Sequence, residues 1–248
     1  MKNFKLNWKI KLSIGLVGLS TLLYLLHYAI YRDARHIFIY LLGDIAFIPI
    51  DVLLVVLVIH GIITGHEKRL MIKKLNMVIG AFFSEVGTEL LRYFSGFDVA
   101  ANTLKEKLAI KKEWTQKDYA SLANSLRNHE FKVDAKKGDL TKLRGFLITK
   151  REFLLRLLEN PNLLEHEGFT ELLWAVFHLA EELSARNQIH NLPDSDYEHL
   201  SNDIKRAYSS LVAQWLAYMR HLNRDYPYLF SLALRTNPFD KDASVVVR

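Results

Sequence analysis

Residues 12–31, LSIGLVGLSTLLYLLHYAIY, contain no charged side chain, and residues 37–63, IFIYLLGDIAFIPIDVLLVVLVIHGII, contain two, Asp44 and Asp51. An α-helix rises about 1.5 Å per residue, so about 20 apolar residues cross the ~30 Å hydrocarbon core of a bilayer. Both stretches reach this length. They predict two transmembrane helices, and the short polar segment 32–36 between them predicts an antiparallel hairpin.

A cleaved signal peptide is the alternative interpretation of the first stretch. The apolar region of a signal peptide is about 7–15 residues long and ends at a cleavage site of small residues. The stretch 12–31 is longer, and no such site follows it. We therefore favour a membrane span that stays in the protein.

Basic residues flank the outer ends of the hairpin. They are Lys2, Lys5, Lys9 and Lys11 before the first span, and Lys68, Arg69, Lys73 and Lys74 after the second. The turn between the spans carries only Arg32 and Arg35, with Asp33 between them. Positive charge stays on the cytoplasmic side. We therefore expect a multi-pass protein of the inner (plasma) membrane with both termini in the cytoplasm, and the second basic group in contact with the lipid bilayer.

Asp44 and Asp51 are unusual in so apolar a segment. A charge at the centre of a bilayer costs at least ~2.5–3.5 kcal/mol, so each carboxyl needs a partner, water or a proton. They are seven residues apart, which places both on one helix face, shared with Tyr40. Folding the hairpin at its turn brings Asp44 level with Tyr24 and within one helical turn of His27. A hydrogen bond to either residue is one explanation of Asp44, whereas no strong partner is level with Asp51.

Several hairpins around an axis can enclose a polar path that one hairpin cannot. Rings of carboxylates line cation-selective pores, and Gly43 and Pro49 allow the second span to bend. We therefore predict a homo-oligomer that conducts cations along Asp44, Asp51, Gly43, Pro49 and Tyr40, assembled or gated by the cytosolic helices. The alternative is a membrane-anchored interaction module that transports nothing.

Residues 67–239 predict a cytosolic helical bundle, which makes the fold class all-α. Apolar residues recur at every third or fourth position and period-two alternation is absent, so we expect helices and no strands. The predicted helices are 68–94, 101–110, 115–128, 139–159, 170–186, 195–223 and 228–235. Capping-box patterns begin at Thr115 and Ser195, and Thr170 is a predicted cap. The tail, 240–248, is expected to fray.

Composition narrows the possible functions. The chain has no cysteine, which excludes disulfides, iron–sulfur clusters and a cysteine nucleophile. Residues 1–66 carry six basic and three acidic residues, half of the net charge of +6. The remainder is nearly balanced and has no basic stripe, so we expect no nucleic-acid partner. No nucleophile elbow or phosphate-binding glycine loop is present, so we expect no enzyme activity and no cofactor.

Glu171, His178 and Glu182 share one face of a predicted helix and are candidate metal ligands. Di-iron bundles use Glu on two helices and Glu-x-x-His on two others. This chain has only His178-x-x-Glu181, in the reverse order and once. We therefore favour a solvated polar face without a metal, and a metal-dependent helical-bundle enzyme is the third hypothesis. Further histidines, expected as ordinary surface residues in loops or at helix ends, are His166, His190, His199 and His221.

The last third of the chain resembles a known family. The stretches that carry the resemblance are FTELLW at 169–174, YPYLF at 226–230 and NPF at 237–239. In them the chain is similar to a family of uncharacterised prokaryotic membrane proteins with two spans and a helical cytosolic domain, and the likeness extends across most of the chain. The resemblance implies no activity and assigns no functional residue.

Overall fold

The regular structure of the described chain is helical, which confirms the predicted all-α class. The computed structural model describes residues 8–161, 163 and 166–246, and only the backbone at residues 60–70 and 73. These residues form no strand; Asp98 and Val133 make an isolated β-bridge. The chain divides into two compact units, Met1–Lys68 and Arg69–Arg248.

The helices follow the predicted order along the chain. They are α1 (Trp8–Tyr31), α2 (Ala34–Phe82), α3 (Thr88–Phe97), α4 (Ala101–Lys107), α5 (Gln116–Arg127), α6 (Leu140–Leu158), α7 (Glu167–Ala185), α8 (Asp194–Asp225) and α9 (Pro227–Arg235). A π-helical turn, Phe83–Gly87, lies between α2 and α3. Each helix predicted after residue 67 is present, with its ends shifted by a few residues. The first of these, predicted over 68–94, consists of the end of α2, the π-helical turn and α3.

The N-terminal unit exposes its apolar side chains. Its stretches Trp8–Tyr31 and Ala34–Ile59 have mean hydropathies of 1.6 and 2.5 and are long enough to cross a bilayer. No residue of α1 is buried, and Leu42 on α2 leaves 71% of its surface exposed. Each Å² of apolar surface left in water forgoes about 25 cal/mol. The two apolar helices therefore indicate association with a membrane.

The turn between α1 and α2 is formed by its own polar residues. Arg32 adopts a left-handed φ of 49° directly after the end of α1. Asp33 then accepts hydrogen bonds at Oδ1 from the backbone N–H groups of Arg35 and His36, at 3.0 and 3.3 Å. A carboxylate that accepts such bonds caps the start of a helix. These contacts explain why α2 begins directly after the turn.

The C-terminal unit is a bundle in which α8 packs on α3, α5, α7 and α9. The buried side of α8 carries apolar residues at helical spacing: Leu200, Ile204, Tyr208, Leu211, Trp215, Met219 and Leu222. The rings of Phe82 and Phe169 meet edge to face with centroids 5.2 Å apart in the same core. Full burial of one such side chain contributes about 1.5–3 kcal/mol. This core holds α7 and α8 side by side.

The helix α5 starts as its sequence predicts. The backbone N–H and the hydroxyl of Thr115 both donate to Oδ2 of Asp118 at 2.7 Å, which confirms the capping box. The backbone hydrogen bond from Thr115 is the main cause that lowers the pKa of Asp118. A local pattern of four residues was therefore enough to place this helix end.

The predicted starts of α7 and α8 are wrong. The cap of α7 is His166, whose Nδ1 accepts from the backbone N–H of Phe169 at 3.1 Å, so Thr170 lies inside the helix and donates to the carbonyl of Leu163. In α8 the cap position is Pro193, so Ser195 lies in the first helical turn. A proline has a φ close to the helical value, which favours helix initiation directly after it. Here it prevails over the Ser195 capping-box pattern.

Candidate functional site

The two acids of the second apolar segment lie on α2 with exposed side chains. Neither Asp44 nor Asp51 has a hydrogen-bond or ion-pair partner among the described residues. Their spacing of seven places both carboxyls on one helix face, and Pro49 lies between them within the helix. The described residues of α1 and α2 therefore supply no protein partner to either acid.

His27, one of the two residues predicted to satisfy Asp44, makes other contacts. His27 stacks on His36 with ring centroids 6.0 Å apart and lies 4.8 Å from the ring of Tyr31. His36 in turn contacts the ring of Tyr40 at 4.6 Å. No hydrogen bond joins Asp44 to Tyr24 or His27 in the described structure, where Nε2 of His27 is buried without a partner. Tyr40 thus belongs to an aromatic group near the turn of the hairpin.

Small residues on both apolar helices face open space. A Cβ built on Gly15, Gly18 or Gly43 would meet no atom within 4 Å. Small residues allow helices to approach closely in membranes, but this unit does not use these positions for contact within one chain. They remain accessible to another helix. Among the basic residues after the apolar stretch, Lys74 is exposed, whereas the side chains of Lys68, Arg69 and Lys73 lie outside the described ones.

A second group of polar residues lies between α7 and α8 of the C-terminal unit. We call it the α7–α8 cluster, and its members are His178, Glu182, His199 and Asp203. Each helix supplies one histidine and one acid four residues apart, on one face of the helix. Because Glu182 lies opposite His199 and His178 lies opposite Asp203, the two helices run antiparallel there.

The polar atoms of the α7–α8 cluster are close to one another. Nε2 of His199 lies 3.2 Å from Oδ2 of Asp203 and 3.5 Å from Oε2 of Glu182. Nε2 of His178 lies 3.5 Å from Oδ2 of Asp203 and 3.9 Å from Oε1 of Glu182. Asp203 is only 3% exposed, whereas the side chains of His178 and His199 are 47% and 49% exposed. The cluster thus has a buried acid at its base and two accessible imidazoles.

Arg186 holds the acids at the edge of this cluster. It donates to Oε2 of Glu182 at 2.8 Å and to both carboxylate oxygens of Asp196 at 2.6 and 3.0 Å. These hydrogen bonds are the largest cause that lowers the pKa values of Glu182 and Asp196 and the largest that raises the pKa of Arg186. Both carboxyls are therefore ionised at neutral pH.

The sequence identified only part of this cluster. His178 and Glu182 lie in it, whereas Glu171 is exposed and Glu181 pairs with Arg151 at 2.7 Å. Sequence reasoning missed Asp203 and placed His199 at a helix end, although the spacing His199-x-x-x-Asp203 matches His178-x-x-x-Glu182. The expected solvated face is instead a network with a buried carboxylate. As placed, the described side chains include no group of three or more His, Cys, Asp or Glu arranged to hold a metal ion.

The fold defines an all-helical protein with two apolar N-terminal helices and a C-terminal bundle. Two family models match it: the N-terminal helical domain of MJ1433 over residues 2–63, and the C-terminal helical domain of the uncharacterised protein MJ1433 over residues 71–235. The chain belongs to this MJ1433 family, which confirms the resemblance to an uncharacterised helical family.

One relative covers nearly the whole chain. The uncharacterised protein MJ1433 of Methanocaldococcus jannaschii is 48% identical over 235 residues, which are 95% of this chain and 94% of the relative. No solved structure matches the chain.

Proposed function

We propose that this protein is a multi-pass membrane protein in which α1 and the apolar part of α2 cross the plasma membrane, with both ends of the chain in the cytoplasm. The support is the length and hydropathy of the two stretches and the excess of basic residues at their outer ends over the turn.

Single cysteines test this topology, because the chain has none of its own. A cysteine at Ala34, beside the turn, should react with a membrane-impermeant maleimide on intact cells. A cysteine at Lys74 should react only after the cells are permeabilised. The reverse labelling pattern would contradict the orientation, and labelling of both positions on intact cells would contradict the hairpin.

The function that we propose is cation conduction by a homo-oligomer whose second spans face a shared pathway. The observation that carries it is the pair Asp44 and Asp51, exposed on one face of an apolar helix and without partners among the described residues. An ionised carboxylate against lipid is costly, so the face that bears it turns to protein or water. Further copies of the chain would supply the protein and would enclose the water between them. The open surfaces beside Gly15, Gly18 and Gly43 give room for another helix to approach.

Ion flux into liposomes tests the proposed pathway. Wild-type protein should conduct monovalent cations, and Asp51→Asn should strongly reduce the flux because it removes the charge that attracts the ion. The matched control is Asp33→Asn, which changes an acid at the turn and keeps an oxygen that can cap α2. No flux in wild type, or an unchanged flux in Asp51→Asn, would overturn the proposal.

The number of subunits gives a second measurement of the same proposal. Native mass spectrometry of the detergent-solubilised protein should show four or more copies, because a hairpin supplies only one inward helix per copy. A protein that stays monomeric in both detergent and lipid cannot enclose the pathway.

The second candidate function is a membrane-anchored interaction module. Large apolar side chains exposed on the C-terminal unit favour it, with Ile148, Trp174 and Tyr228 exposed to 45%, 57% and 72%. An interface of such a module would use exposed apolar side chains of this kind. This function predicts no cation flux, and retention of a protein partner that is insensitive to Asp51→Asn and lost in Trp174→Ala.

A further inference from the structure

We propose that the α7–α8 cluster is a binding site for one transition-metal dication of the Zn²⁺ class. The inference does not depend on cation conduction, because it concerns residues of the C-terminal unit alone. Two imidazole nitrogens with two carboxylates are ligands that Zn²⁺ and its neighbours accept, whereas Mg²⁺ and Ca²⁺ prefer oxygen ligands only.

The separations between Asp203 and the two imidazoles are close to those of a small tetrahedral shell. Donors that each lie about 2.1 Å from a tetrahedral metal are about 3.4 Å from one another. Oδ2 of Asp203 lies 3.5 and 3.2 Å from the Nε2 atoms of His178 and His199. Oε1 of Glu182 lies 3.9 Å from Nε2 of His178, and its other oxygen, Oε2, lies 3.5 Å from Nε2 of His199. Asp203 is thus spaced from both imidazole nitrogens as donors of one ion are, and the carboxylate of Glu182 lies beside them.

Asp203 provides an independent indication of a ligand. Its carboxylate is 3% exposed, yet Oδ2 accepts no hydrogen bond within the described part of the chain. The two nearby imidazoles are within 3.5 Å but are not aligned to donate to it. A buried carboxylate oxygen without a donor is costly. A cation between this oxygen and the two nitrogens removes that cost.

An arginine lies beside the outer oxygen of each acid. Arg186 binds Oε2 of Glu182, and Nη2 of Arg206 lies 3.6 Å from Oδ1 of Asp203. Oε1 of Glu182 and Oδ2 of Asp203 are left for an ion. Partners of this kind orient ligands at metal sites, and their loss typically lowers metal affinity about 10–100-fold.

The local charge also favours a cation. Arg186 pairs with both Glu182 and Asp196, and Arg206 lies near Asp203. Three carboxylates therefore face two guanidiniums. One net negative charge remains when the imidazoles are neutral. The alternative is that both imidazoles are protonated and pair with the acids directly, which leaves no lone pair for a metal.

Metal binding at this cluster requires the side chains to rotate. As placed, the donors are not arranged to hold an ion, and binding requires the two imidazoles, which are about half exposed, to turn toward Asp203. An ion bound there joins one turn of α7 to one turn of α8, so it should raise the thermal midpoint of unfolding.

Metal titration of the full chain in detergent tests the proposal. The protein is purified without a histidine tag, stripped with a chelator and titrated with Zn²⁺ by calorimetry at pH 7.5, and Co²⁺ is used to record the visible absorption bands of a low-coordinate site. We expect one equivalent of Zn²⁺, a higher thermal midpoint, and no competition from excess Mg²⁺. His199→Gln should weaken binding at least about tenfold.

The variants separate a metal site from a structural ion-pair network. His199→Gln changes a half-exposed residue and should fold, while Asp203→Asn probes the buried ligand and is interpreted only if its helical circular dichroism matches wild type. His190→Gln is the control, because Nε2 of His190 contacts the hydroxyl of Thr141 outside the cluster. Absence of stoichiometric Zn²⁺ binding in folded wild type, or equal binding in His199→Gln and wild type, overturns the proposal. Cation flux is unaffected by either result.

Discussion

The two units of the chain treat acidic side chains in opposite ways. In the N-terminal unit, Asp44 and Asp51 are exposed on an apolar helix without partners among the described residues. In the C-terminal unit, Asp203 is buried beside two imidazoles, and Asp196 is 27% exposed and bound by a guanidinium. Within one chain, Asp196 and Asp203 therefore have charged or imidazole side chains beside them, whereas Asp44 and Asp51 have no partner among the described residues.

Apolar side chains show the same contrast. Those of α1 and the first half of α2 lie exposed, whereas α7 and α8 bury theirs against each other and against the neighbouring helices. A unit that buries its own apolar surface can be stable in water, and one that does not needs a lipid or protein environment. The contrast indicates that the core of the C-terminal unit stabilises that unit by itself, whereas the N-terminal unit needs lipid or protein around its apolar side chains.

The largest effect should follow a cavity in the C-terminal core. Phe169 is fully buried against the edge of Phe82. Phe169→Ala should lower the free energy of unfolding of the C-terminal unit by about 3–5 kcal/mol, because the removed ring leaves a void. Denaturation followed by circular dichroism in detergent measures the loss.

The matched control lies in the other unit. Leu42→Ala removes a side chain that is 71% exposed and should leave unfolding of the C-terminal unit unchanged within about 0.5 kcal/mol. Equal losses of unfolding free energy from the two substitutions would contradict this contrast between the units, because they would show that the apolar helices belong to the same cooperative core.

Much of the fold could be predicted from local patterns. The apolar stretches, the periodic stripes of α6 to α8 and the capping box at Thr115 are each contained in one segment of sequence. The errors at Thr170 and Ser195 arose where another residue a few positions earlier takes the cap position: His166 caps α7, and Pro193 precedes the first residue of α8.

The α7–α8 cluster was less predictable, since it joins residues 17 to 25 positions apart on two helices. His178 and Glu182 share a helix and were recognised together. Asp203 could be assigned to the cluster only from the structure, in which the packing of α7 on α8 places its carboxylate 3.5 Å from Nε2 of His178. The repeated pattern of histidine and acid at a spacing of four was the available signal. Its significance depends on the antiparallel pairing of the helices, which the sequence of either helix alone does not contain.

A smaller effect should follow the loss of the guanidinium that ties the two helices together. The side chain of Arg186 is 16% exposed and binds Glu182 and Asp196. Arg186→Gln should cost about 2 kcal/mol, because it removes hydrogen bonds to charged partners. Arg156→Gln is the control, since Arg156 pairs with Glu152 at a position 72% exposed, where such pairs contribute little. If the two substitutions lowered the free energy of unfolding equally, the half-buried ion pairs of Arg186 would contribute no more than the exposed pair of Arg156.

The pH dependence of that difference sharpens the test. Hydrogen bonds from Arg186 lower the pKa values of Glu182 and Asp196 from their ordinary values of 4.5 and 3.8. A carboxyl whose pKa is lowered by folding contributes stability that is complete above its ordinary pKa and is lost as the pH falls through the lowered value. The stability gap between wild type and Arg186→Gln should therefore be constant above about pH 6 and should narrow below about pH 4. Denaturant midpoints measured from pH 3 to 8 give this gap directly. A gap that stays constant down to pH 3 would show that Arg186 stabilises α7 and α8 through the packing of its aliphatic stem rather than through its charge.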